Sequence, residues 1–431
     1  MPTALIPPSD PSPGPSSGPL AGRANPTGAV AFNGSTPHVV HQWLAAFYVF
    51  TLPLQTAPKE IAFALLVLWS LIRIRSIWRT CVDLSRDRPG WLLVIWASWT
   101  ALSLAWSQDP AHGVEELAAF RFLLTGFVLA PVLDRAAWLI VAFLLGVFVQ
   151  NGVQLGQGLQ LFGLEPGAQN RLGGLTSPIT AGLICGMAMC WHLAAVLASR
   201  SAWRWIGVVG FFAAAGGMVF SGSRGPWIAA ALVLPLEVIV IAVRRPPTRR
   251  VALIVTTLVV IAAAASWPIA RPMVENRVER ALEDLRVAQD DAYGTDVGFR
   301  LLCWRTSWRM FRDRPLHGSG VGAFYVETEL VRNTRTNISA GHAHSIFFHA
   351  LGCTGLVGLG LMLATLAAYG ARAWGVVRPP PWADGTFYAL LLWTVAGAFD
   401  TFHVSGQTFG ILMVVFALAA PPLTNRADAL R

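Results

Sequence analysis

The chain has 431 residues, of which 54% are hydrophobic and only 13% are charged. With 18 tryptophans and a mean hydropathy of +0.53, this composition excludes an ordinary soluble globular protein and is typical of a chain embedded in lipid. Basic residues outnumber acidic residues by 32 to 23, but they fall in short clusters between long apolar runs. That distribution indicates orientation in a membrane rather than binding of nucleic acid.

The N-terminal segment and the cysteines carry little structural information. Residues 1–38 are rich in Pro, Gly and Ser and lack the basic start and apolar core of a secretory signal, so we expect a disordered cytoplasmic tail. Five cysteines are scattered along the chain, with no Cys-x-x-Cys pair and no histidine at zinc-ligand spacing. They predict neither a disulfide framework nor a structural metal.

Apolar stretches that can cross a hydrocarbon layer of ~30 Å recur after this tail, each needing about 20 helical residues. They divide into nine predicted transmembrane helices over 39–270 and three over 344–424, separated by a loop domain over 271–343 and followed by a cytoplasmic tail over 425–431. The predicted fold class is an all-α polytopic membrane protein with about twelve spans. The spans are 39–57, 60–76, 90–106, 114–133, 136–158, 175–198, 203–221, 225–243, 250–269, 346–372, 384–402 and 408–424.

The charge of the connecting loops predicts the orientation, because short cytoplasmic loops carry an excess of arginine and lysine. Alternate loops differ in this respect. One set belongs in the cytoplasm because it contains Arg73, Arg75, Arg79, Arg86, Arg88, Arg200, Arg204, Arg244, Arg245, Arg249, Arg250, Arg372 and Arg378. The other set belongs outside, and it includes residues 109–116, the segment around Arg171 and the turn 221–226. In a cell with two membranes, we therefore expect a multi-pass inner-membrane protein whose long loop is periplasmic.

The long loop is predicted to be partly helical. Residues 274–285 have apolar positions at helical spacing and charges on the other faces, which is typical of an amphipathic helix lying over the bundle. The simplest role of its charges is a solvated face. A second helix carries Arg300, Trp304, Trp308 and Phe311 on one stripe. Proline and glycine end this helix within 314–320.

Three features of the outer side place costly polar groups at the edge of the apolar bundle. Arg224 lies in a tight Gly-Ser-Arg-Gly-Pro turn, where it could point inward or extend to lipid headgroups. Arg300 begins the second loop helix, and stacking on Trp304 is the alternative to a binding role. The third feature is the segment 341–349, which contains three of the nine histidines: His342, His344 and His349.

Metal binding is the rival interpretation of the three histidines. Histidines at these spacings can share a ligand. However, no carboxylate or cysteine lies close in sequence to complete a set of ligands. The sequence therefore predicts no metal site and no cofactor.

Two arginines and one histidine on the same face suffice for metal-free transfer from a diphosphate. Arginine keeps its charge and presents a planar fork to phosphate oxygens, so Arg224 and Arg300 can neutralise a departing diphosphate. A diphosphate leaves without a proton, and the remaining requirement is a base for an incoming hydroxyl. His344 is the candidate base because we expect it in the first turn of a helix beginning near Ser345, where the helix dipole disfavours imidazolium. His342 and His349 could be ordinary polar residues.

Four segments together resemble the signature of the superfamily of O-antigen ligases and Wzy-type polymerases. Residues 344–348, followed by Gly355 and Gly358, are similar to its H-N-x-x-L…G…G motif. The other three similarities are the turn 221–225 to an S-x-S-R-G turn, residues 300–320 to an R…W…P-L-x-G-x-G run, and residues 171–175 to an R-x-x-G-hydrophobic element. Their order and spacing also agree, so the resemblance covers most of the chain beyond the tail.

The resemblance implies the all-helical fold of membrane glycosyltransferases that use lipid-linked donors. It implies that Arg224 and Arg300 bind the diphosphate of such a donor and that His344 activates the acceptor hydroxyl. Further candidates for substrate binding are Arg171, His342 and Ser345, the last of which replaces an asparagine common in the family. The expected substrates are undecaprenyl diphosphate-linked O-antigen and lipid A-core, with membrane lipids as surroundings and no nucleic acid.

The sequence is also compatible with several other functions. An O-antigen polymerase or a protein O-oligosaccharyltransferase would use the same donor and similar residues, and would differ in the acceptor. A lipid-linked glycan transporter or flippase would also have about twelve spans, although the two halves of the chain show no convincing internal repeat. A scaffolding membrane protein would explain the apolar spans but not the clustered arginines and histidines.

Overall fold

The computed structural model describes residues 36–85, 87–161, 171–199, 202–244, 295–332, 340–375 and 384–419, with eight single positions between 253 and 286. Every regular element of these residues is a helix, which confirms the predicted all-α class. The predicted tail up to residue 35, the span 250–269, most of the amphipathic helix 274–285 and the C-terminal tail lie outside the described residues. The first described helix begins at Thr36, three residues before the predicted first span.

Fifteen α-helices and three 3₁₀ segments lie within the described ranges. The 3₁₀ segments are Ser103–Trp106, Ala118–Leu123 and Ala130–Arg135. The α-helices are α1 (Thr36–Thr51), α2 (Thr56–Ile72), α3 (Ile74–Ser85), α4 (Arg88–Leu102), α5 (Pro110–Leu117), α6 (Leu124–Leu129), α7 (Ala136–Gly158), α8 (Pro178–Ala198), α9 (Trp203–Ser221), α10 (Arg224–Arg244), α11 (Asp296–Asp313), α12 (Ala323–Arg332), α13 (Ile346–Gly375), α14 (Gly385–Ala396) and α15 (Gly406–Ala419).

Five helical stretches of the described residues are long and apolar enough to cross a membrane: Pro110–Gly158, α8, α9, α10 and α13. The apolar helices α14 and α15 are shorter. Three of the predicted spans, at 39–57, 60–76 and 90–106, correspond to α1, α2 and α4, which have only 16, 17 and 15 residues. The chain is thus a helical membrane protein, with several helices shorter than their hydropathy profiles predict.

Residues 110–158 form an unbroken run of α-helical and 3₁₀ segments where the sequence predicts two spans. Near the start of this run, Glu116 Oε2 lies 3.2 Å from His349 Nε2. At its middle, Asp134 and Arg135 lie within electrostatic range of His38. At its end, Gln157 returns to the level of the loop after Arg171. The middle of the run thus lies near α1, whereas its start lies near α13 and its end near the loop after Arg171, and the division into spans 114–133 and 136–158 stays a prediction.

Helix α8 forms the centre of the bundle, and nearly all its residues are buried. It packs against α9, α10 and α14. Small residues allow this close approach: a Cβ atom at Gly182 would lie 2.7 Å from Ser221 Oγ. Small side chains at helix crossings are typical of membrane bundles. The contact brings the C-terminal end of α9 against α8.

The loop after Arg171 is held by three glutamines on one face of α7, namely Gln150, Gln154 and Gln157. Gln154 Nε2 donates to the carbonyl oxygen of Leu172 at 2.8 Å, and the amide of Gly174 donates to Gln157 Oε1 at 2.8 Å. These bonds satisfy backbone groups that are buried away from water. The loop therefore has a fixed position relative to α7.

Helix α13 is interrupted at Gly355, which has φ 67° and ψ −167°. The turn 315–320 bonds to the backbone on both sides of this break: Leu356 N donates to Pro315 O at 2.9 Å, and Gly320 N donates to Cys353 O at 2.8 Å. A Cβ atom at Gly355 would lie 2.4 Å from the Leu316 carbonyl carbon, so only glycine fits. The turn fixes the end of α11 against α13.

Among the described residues, contacts join members of the basic set of loops to one another, and other contacts join members of the second set. At the end with the basic loops, Arg372 forms two hydrogen bonds with the carboxylate of Asp87, one of 2.9 Å. The guanidinium of Arg244 lies 3.5 Å from the centre of the Trp374 ring. The other end contains the loop after Arg171, the turn 221–223 and the segments 340–345 and 397–405. We call it the site end.

Candidate active site

Arg171, Arg224 and Arg300 line one cavity of about 250 Å³ at the site end, together with Asp400 and Trp304. We call this the arginine cavity. Its walls come from the loop before α8, the turn between α9 and α10, the first half of α11 and the connection between α14 and α15. The cavity thus contains Arg224 and Arg300, which lie 76 positions apart in the sequence, and also Arg171, a further candidate from the sequence.

Arg224 is the first residue of α10, directly after a turn that reverses the chain. Gly222 ends α9 in the left-handed conformation, with φ 59°, and Ser223 Oγ donates to the carbonyl oxygen of Pro178 at 2.9 Å. A Cβ atom at Gly225 would lie 2.9 Å from Phe399 Cβ. The side chain of Arg224 therefore enters the cavity at the N-terminus of a long helix, where the unpaired amides and the helix dipole also favour an anion.

Arg171 holds the turn that carries Arg224. Its Nε donates to the carbonyl oxygen of Ser221 at 3.2 Å, and its Nη2 donates to Ser223 Oγ at 2.7 Å. The same guanidinium lines the arginine cavity. Arg171 thus contributes positive charge to the cavity and also ties the loop before α8 to the turn before α10.

Arg300 lies in the second turn of α11, whose N-terminus is capped by Thr295, with Thr295 Oγ1 accepting from Gly298 N at 3.1 Å. The Nε atom of Arg300 is buried and has no hydrogen-bond partner among the described residues. Trp304 stacks on Phe348, with ring centres 5.2 Å apart and planes 13° from parallel. This stacking joins α11 to α13, and it leaves the Arg300 guanidinium directed into the arginine cavity.

His344 lies two residues before α13 and not in its first turn, so that expectation is wrong. Its φ is 49°, a left-handed conformation that is rare for a residue with a side chain. Such strain persists only where the surroundings hold the residue in place, and it often accompanies function. His344 Nδ1 lies 3.5 Å from Asp400 Oδ1, and its ring packs edge-on against Phe299 with centres 5.6 Å apart.

Asp400 is the site residue that the sequence reasoning missed. It both lines the arginine cavity and contacts His344. Burial alone would raise the pKa of its carboxyl, but the contact with His344, the nearby imidazole of His342 and the amide of Thr401 together lower the pKa below its ordinary value. The signal was present: Asp400 is a lone acid at the outer end of a predicted span, where an ionisable residue suggests function.

The remaining candidates have different surroundings. The rings of His342 and His344 lie 4.5 Å apart, and burial lowers the pKa of His342 to about 4. Ser345 is 1% exposed, its amide donates to Thr401 Oγ1 at 3.1 Å and its hydroxyl accepts from Phe348 N at 3.4 Å, so it caps α13. His349 is buried against Glu116. None of the candidates His342, His344, Ser345 and His349 lines the arginine cavity, and His344 adjoins it through its contact with Asp400.

The sequence argument against a metal site was that no carboxylate lies close to the histidines, and this does not hold in the folded protein. One ligand atom from each of His342, His344 and Asp400 lies within 4.8 Å of the other two. The carboxylate that is missing near the histidines in sequence is therefore supplied by the connection between α14 and α15. The connection between α14 and α15 lies at the same end of the bundle as the histidines, so its carboxylate is near them in space although distant in sequence.

A larger cavity of about 620 Å³ lies between α7, α8 and α9. Its lining is almost entirely apolar, with Asn151 and His192 as its polar side chains among the described residues. Such a surface can accommodate hydrocarbon but holds no group that stabilises developing charge. The arginine cavity is smaller, yet it contains the convergent polar groups that chemistry requires.

Residues 209–363 match the family model described as O-antigen ligase. This segment, 155 of the 431 residues, is similar to the O-antigen ligase family. This match confirms the superfamily membership that the sequence motifs predicted. The matched O-antigen ligase segment includes Arg224, Arg300, His344 and the break at Gly355, whereas Arg171 and Asp400 lie outside it. A search of curated proteins found no match to the chain.

Proposed function

We propose that this protein is an O-antigen ligase: an inverting, metal-independent glycosyltransferase that transfers a glycan from undecaprenyl diphosphate to a sugar hydroxyl of lipid A-core. The supporting observation is that Arg171, Arg224 and Arg300 share a cavity with Asp400, which in turn contacts His344. The family match supports the same class of enzyme. With the basic loops in the cytoplasm, the arginine cavity opens to the periplasmic side of the bacterial inner membrane.

The arginines bind the donor. Arg224 and Arg300 hold the diphosphate oxygens, aided by the amides at the N-terminus of α10. Arg171 adds charge and keeps Arg224 in position through Ser221 and Ser223. Three guanidinium groups in a cavity of about 250 Å³ provide the positive charge for which other glycosyltransferases recruit a metal ion.

His344 is the base, and Asp400 is its positioning residue. The Nδ1 atom faces Asp400, which leaves Nε2 to accept the proton of the acceptor hydroxyl. The acceptor oxygen forms its bond to the anomeric carbon as the bond from that carbon to the diphosphate oxygen breaks, with inversion. The proton stays on His344, and undecaprenyl diphosphate leaves as an anion that the arginines stabilise. Asp400 stabilises the imidazolium that results.

The first test is the substitution His344→Ala in purified protein, with lipid-linked donor and lipid A-core as substrates. Removal of a general base lowers turnover by about 10²- to 10⁴-fold, so we expect a loss of kcat in that range. His112→Ala is the matched control, since His112 also contacts an aspartate but is 42% exposed, and its partner Asp109 does not line the arginine cavity. Full transfer by His344→Ala would show that the proposed mechanism is wrong.

The acceptor needs a separate test, because an O-antigen polymerase or a protein O-oligosaccharyltransferase would use the same cavity. A deletion strain should accumulate polymerised glycan that is not attached to lipid A-core. Single-repeat products would identify a polymerase, and loss of protein glycosylation would identify a protein-modifying enzyme. Movement of the lipid-linked glycan without any covalent product would identify a transporter.

A further inference from the structure

The cluster of His342, His344 and Asp400 has the composition of a site for a transition-metal ion. One ligand atom of each residue lies within 4.8 Å of the other two. The Nδ1 atoms of both histidines are buried and have no hydrogen-bond partner among the described residues. Buried nitrogens in native proteins are nearly always bonded, so two such neighbouring atoms, one of them 3.5 Å from a carboxylate oxygen, point to a ligand.

The distances fit a tetrahedral ion. Two ligand atoms at about 2.0–2.1 Å from the same zinc ion are about 3.3 Å apart, and His344 Nδ1 lies 3.5 Å from Asp400 Oδ1. The rings of His342 and His344 are 4.5 Å apart and inclined by 64°. Since the rings are not stacked face to face, their nitrogens can converge on one point. The ligand atoms of all three residues lie within 4.8 Å of one another, so the third atom must move closer to complete the coordination.

The backbone around the cluster is already fixed. Ile346 N donates to Gly397 O at 2.8 Å, and Ser345 N donates to Thr401 Oγ1 at 3.1 Å. Thr401 N in turn donates to Asp400 Oδ1 at 2.7 Å. The segment with the histidines is thus bound to the segment with the carboxylate, so an ion does not have to order the chain in order to bind.

The ligand chemistry selects the class of ion. Two imidazoles and one carboxylate suit borderline divalent ions such as Zn²⁺ and Co²⁺, whereas Mg²⁺ and Ca²⁺ require oxygen ligands. Three protein ligands leave the fourth position of a tetrahedral ion open, as in exchangeable sites. The arginines of the neighbouring cavity repel any cation, so the affinity must come from the three ligand bonds.

We propose that a borderline divalent transition-metal ion binds His342, His344 and Asp400 and thereby inhibits glycan transfer. A metal ion on Nδ1 of His344 leaves the proton of the neutral imidazole on Nε2, so this nitrogen becomes a donor and no longer accepts a proton. The ion also takes Asp400 away from His344. Inhibition rests on the proposed role of His344 as base, whereas metal binding does not.

Binding is tested with Co²⁺, whose visible absorption bands report tetrahedral coordination, on purified protein carrying an affinity tag without histidine. We expect one Co²⁺ ion per chain, displaced by Zn²⁺, and affinities at least about tenfold lower in His342→Ala and Asp400→Asn. His112→Ala, which alters an exposed histidine–aspartate pair at 2.7 Å, should bind as the unchanged protein does. No stoichiometric binding, or unchanged binding by His342→Ala, would overturn the site.

Thermal unfolding separates lost ligands from lost structure. Zn²⁺ should raise the melting temperature of the unchanged protein and of His112→Ala. The same addition should leave the melting temperature of His342→Ala unchanged, while its metal-free melting temperature shows whether it folds. A Zn²⁺-dependent rise in His342→Ala equal to that of the unchanged protein would contradict the proposed ligands.

Transfer assays test the inhibition. Zn²⁺ at concentrations that saturate the Co²⁺-competition curve should abolish transfer, and a chelator should restore it fully. Transfer that continues with the site saturated would overturn the inhibition. If Co²⁺ binds while His344→Ala keeps full transfer, the proposed base is wrong and the site stands. If Co²⁺ does not bind while His344→Ala is inactive, the site is wrong and the base stands.

Discussion

The two ends of the bundle use arginine in different ways. At the basic end, Arg372 forms two hydrogen bonds with Asp87, and Arg244 lies over the ring of Trp374. At the site end, Arg300 has a buried Nε without a partner among the described residues, and it shares a cavity with two other arginines. Positive charges that share a cavity destabilise a fold unless negative charge balances them, and Asp400 is an acid in the lining of this cavity. At the basic end the arginines thus bond within the fold, whereas at the site end Arg171 holds a turn and Arg300 has the donor-binding role that we propose.

The same contrast applies to the backbone. At the middle of the bundle, α8 is a regular buried helix. At the site end, His344 has φ 49° and Gly355 has φ 67°. The turn 315–320, which follows α11, bonds to the backbone of α13 on both sides of the break at Gly355. Strained residues close to a cluster of charges are found mainly at functional sites. The site end therefore combines unsatisfied charge with enforced backbone geometry.

The contrast between Arg300 and Arg372 predicts the largest effect. Arg300→Ala should lower kcat by about 10²- to 10³-fold, because it removes a group that stabilises the departing anion, and should hardly change the melting temperature. Arg372→Ala should leave kcat nearly unchanged but lower the free energy of unfolding by about 3 kcal/mol, because it leaves the buried carboxylate of Asp87 without its partner. Turnover and thermal unfolding in detergent check both variants. Equal effects of the two substitutions on turnover would remove the distinction between the ends.

A smaller effect is expected for Asp400→Asn. The asparagine keeps the shape but cannot stabilise an imidazolium, so kcat should fall by about 10- to 100-fold while KM for the donor stays the same. Asp400→Glu should restore part of the activity, which a purely structural role would not explain. Steady-state kinetics of the three proteins check this expectation. A change confined to KM would show that Asp400 binds the donor and does not position His344.

The smallest effects concern the backbone of α13. Gly355→Ala should destabilise the protein by roughly 1–3 kcal/mol, because alanine is strained at this positive φ and its Cβ would meet the Leu316 carbonyl group at 2.4 Å. Gly360→Ala, on the same helix, should stabilise it by about 0.5–1 kcal/mol because its Cβ would meet no atom within 4 Å. Melting temperatures of both variants test the pair. If Gly360→Ala destabilised the protein and Gly355→Ala did not, the break in α13 at Gly355 would be contradicted.

The sequence by itself determined the class of the fold, the run of apolar helices and the family. It also picked out Arg224, Arg300 and His344, because charged residues and glycines in short motifs stand out against an apolar chain. These features are local, since composition, periodicity and turn residues act over a few positions. Helix lengths were less well predicted, because hydropathy extends beyond the residues that caps and turns allow, as at α4, which ends at Leu102 where a 3₁₀ segment begins although its predicted span continues to 106.

Only the tertiary structure decided which residues meet. It placed Asp400 beside His344, tied Arg171 to the turn before Arg224, and moved His344 out of the first turn of α13 into a strained position. It also placed the carboxylate of Asp400 near His342 and His344, which have no carboxylate close to them in sequence. Each of these outcomes depends on which ends of separate helices are packed together, and that packing is set by side-chain contacts between segments far apart in the chain.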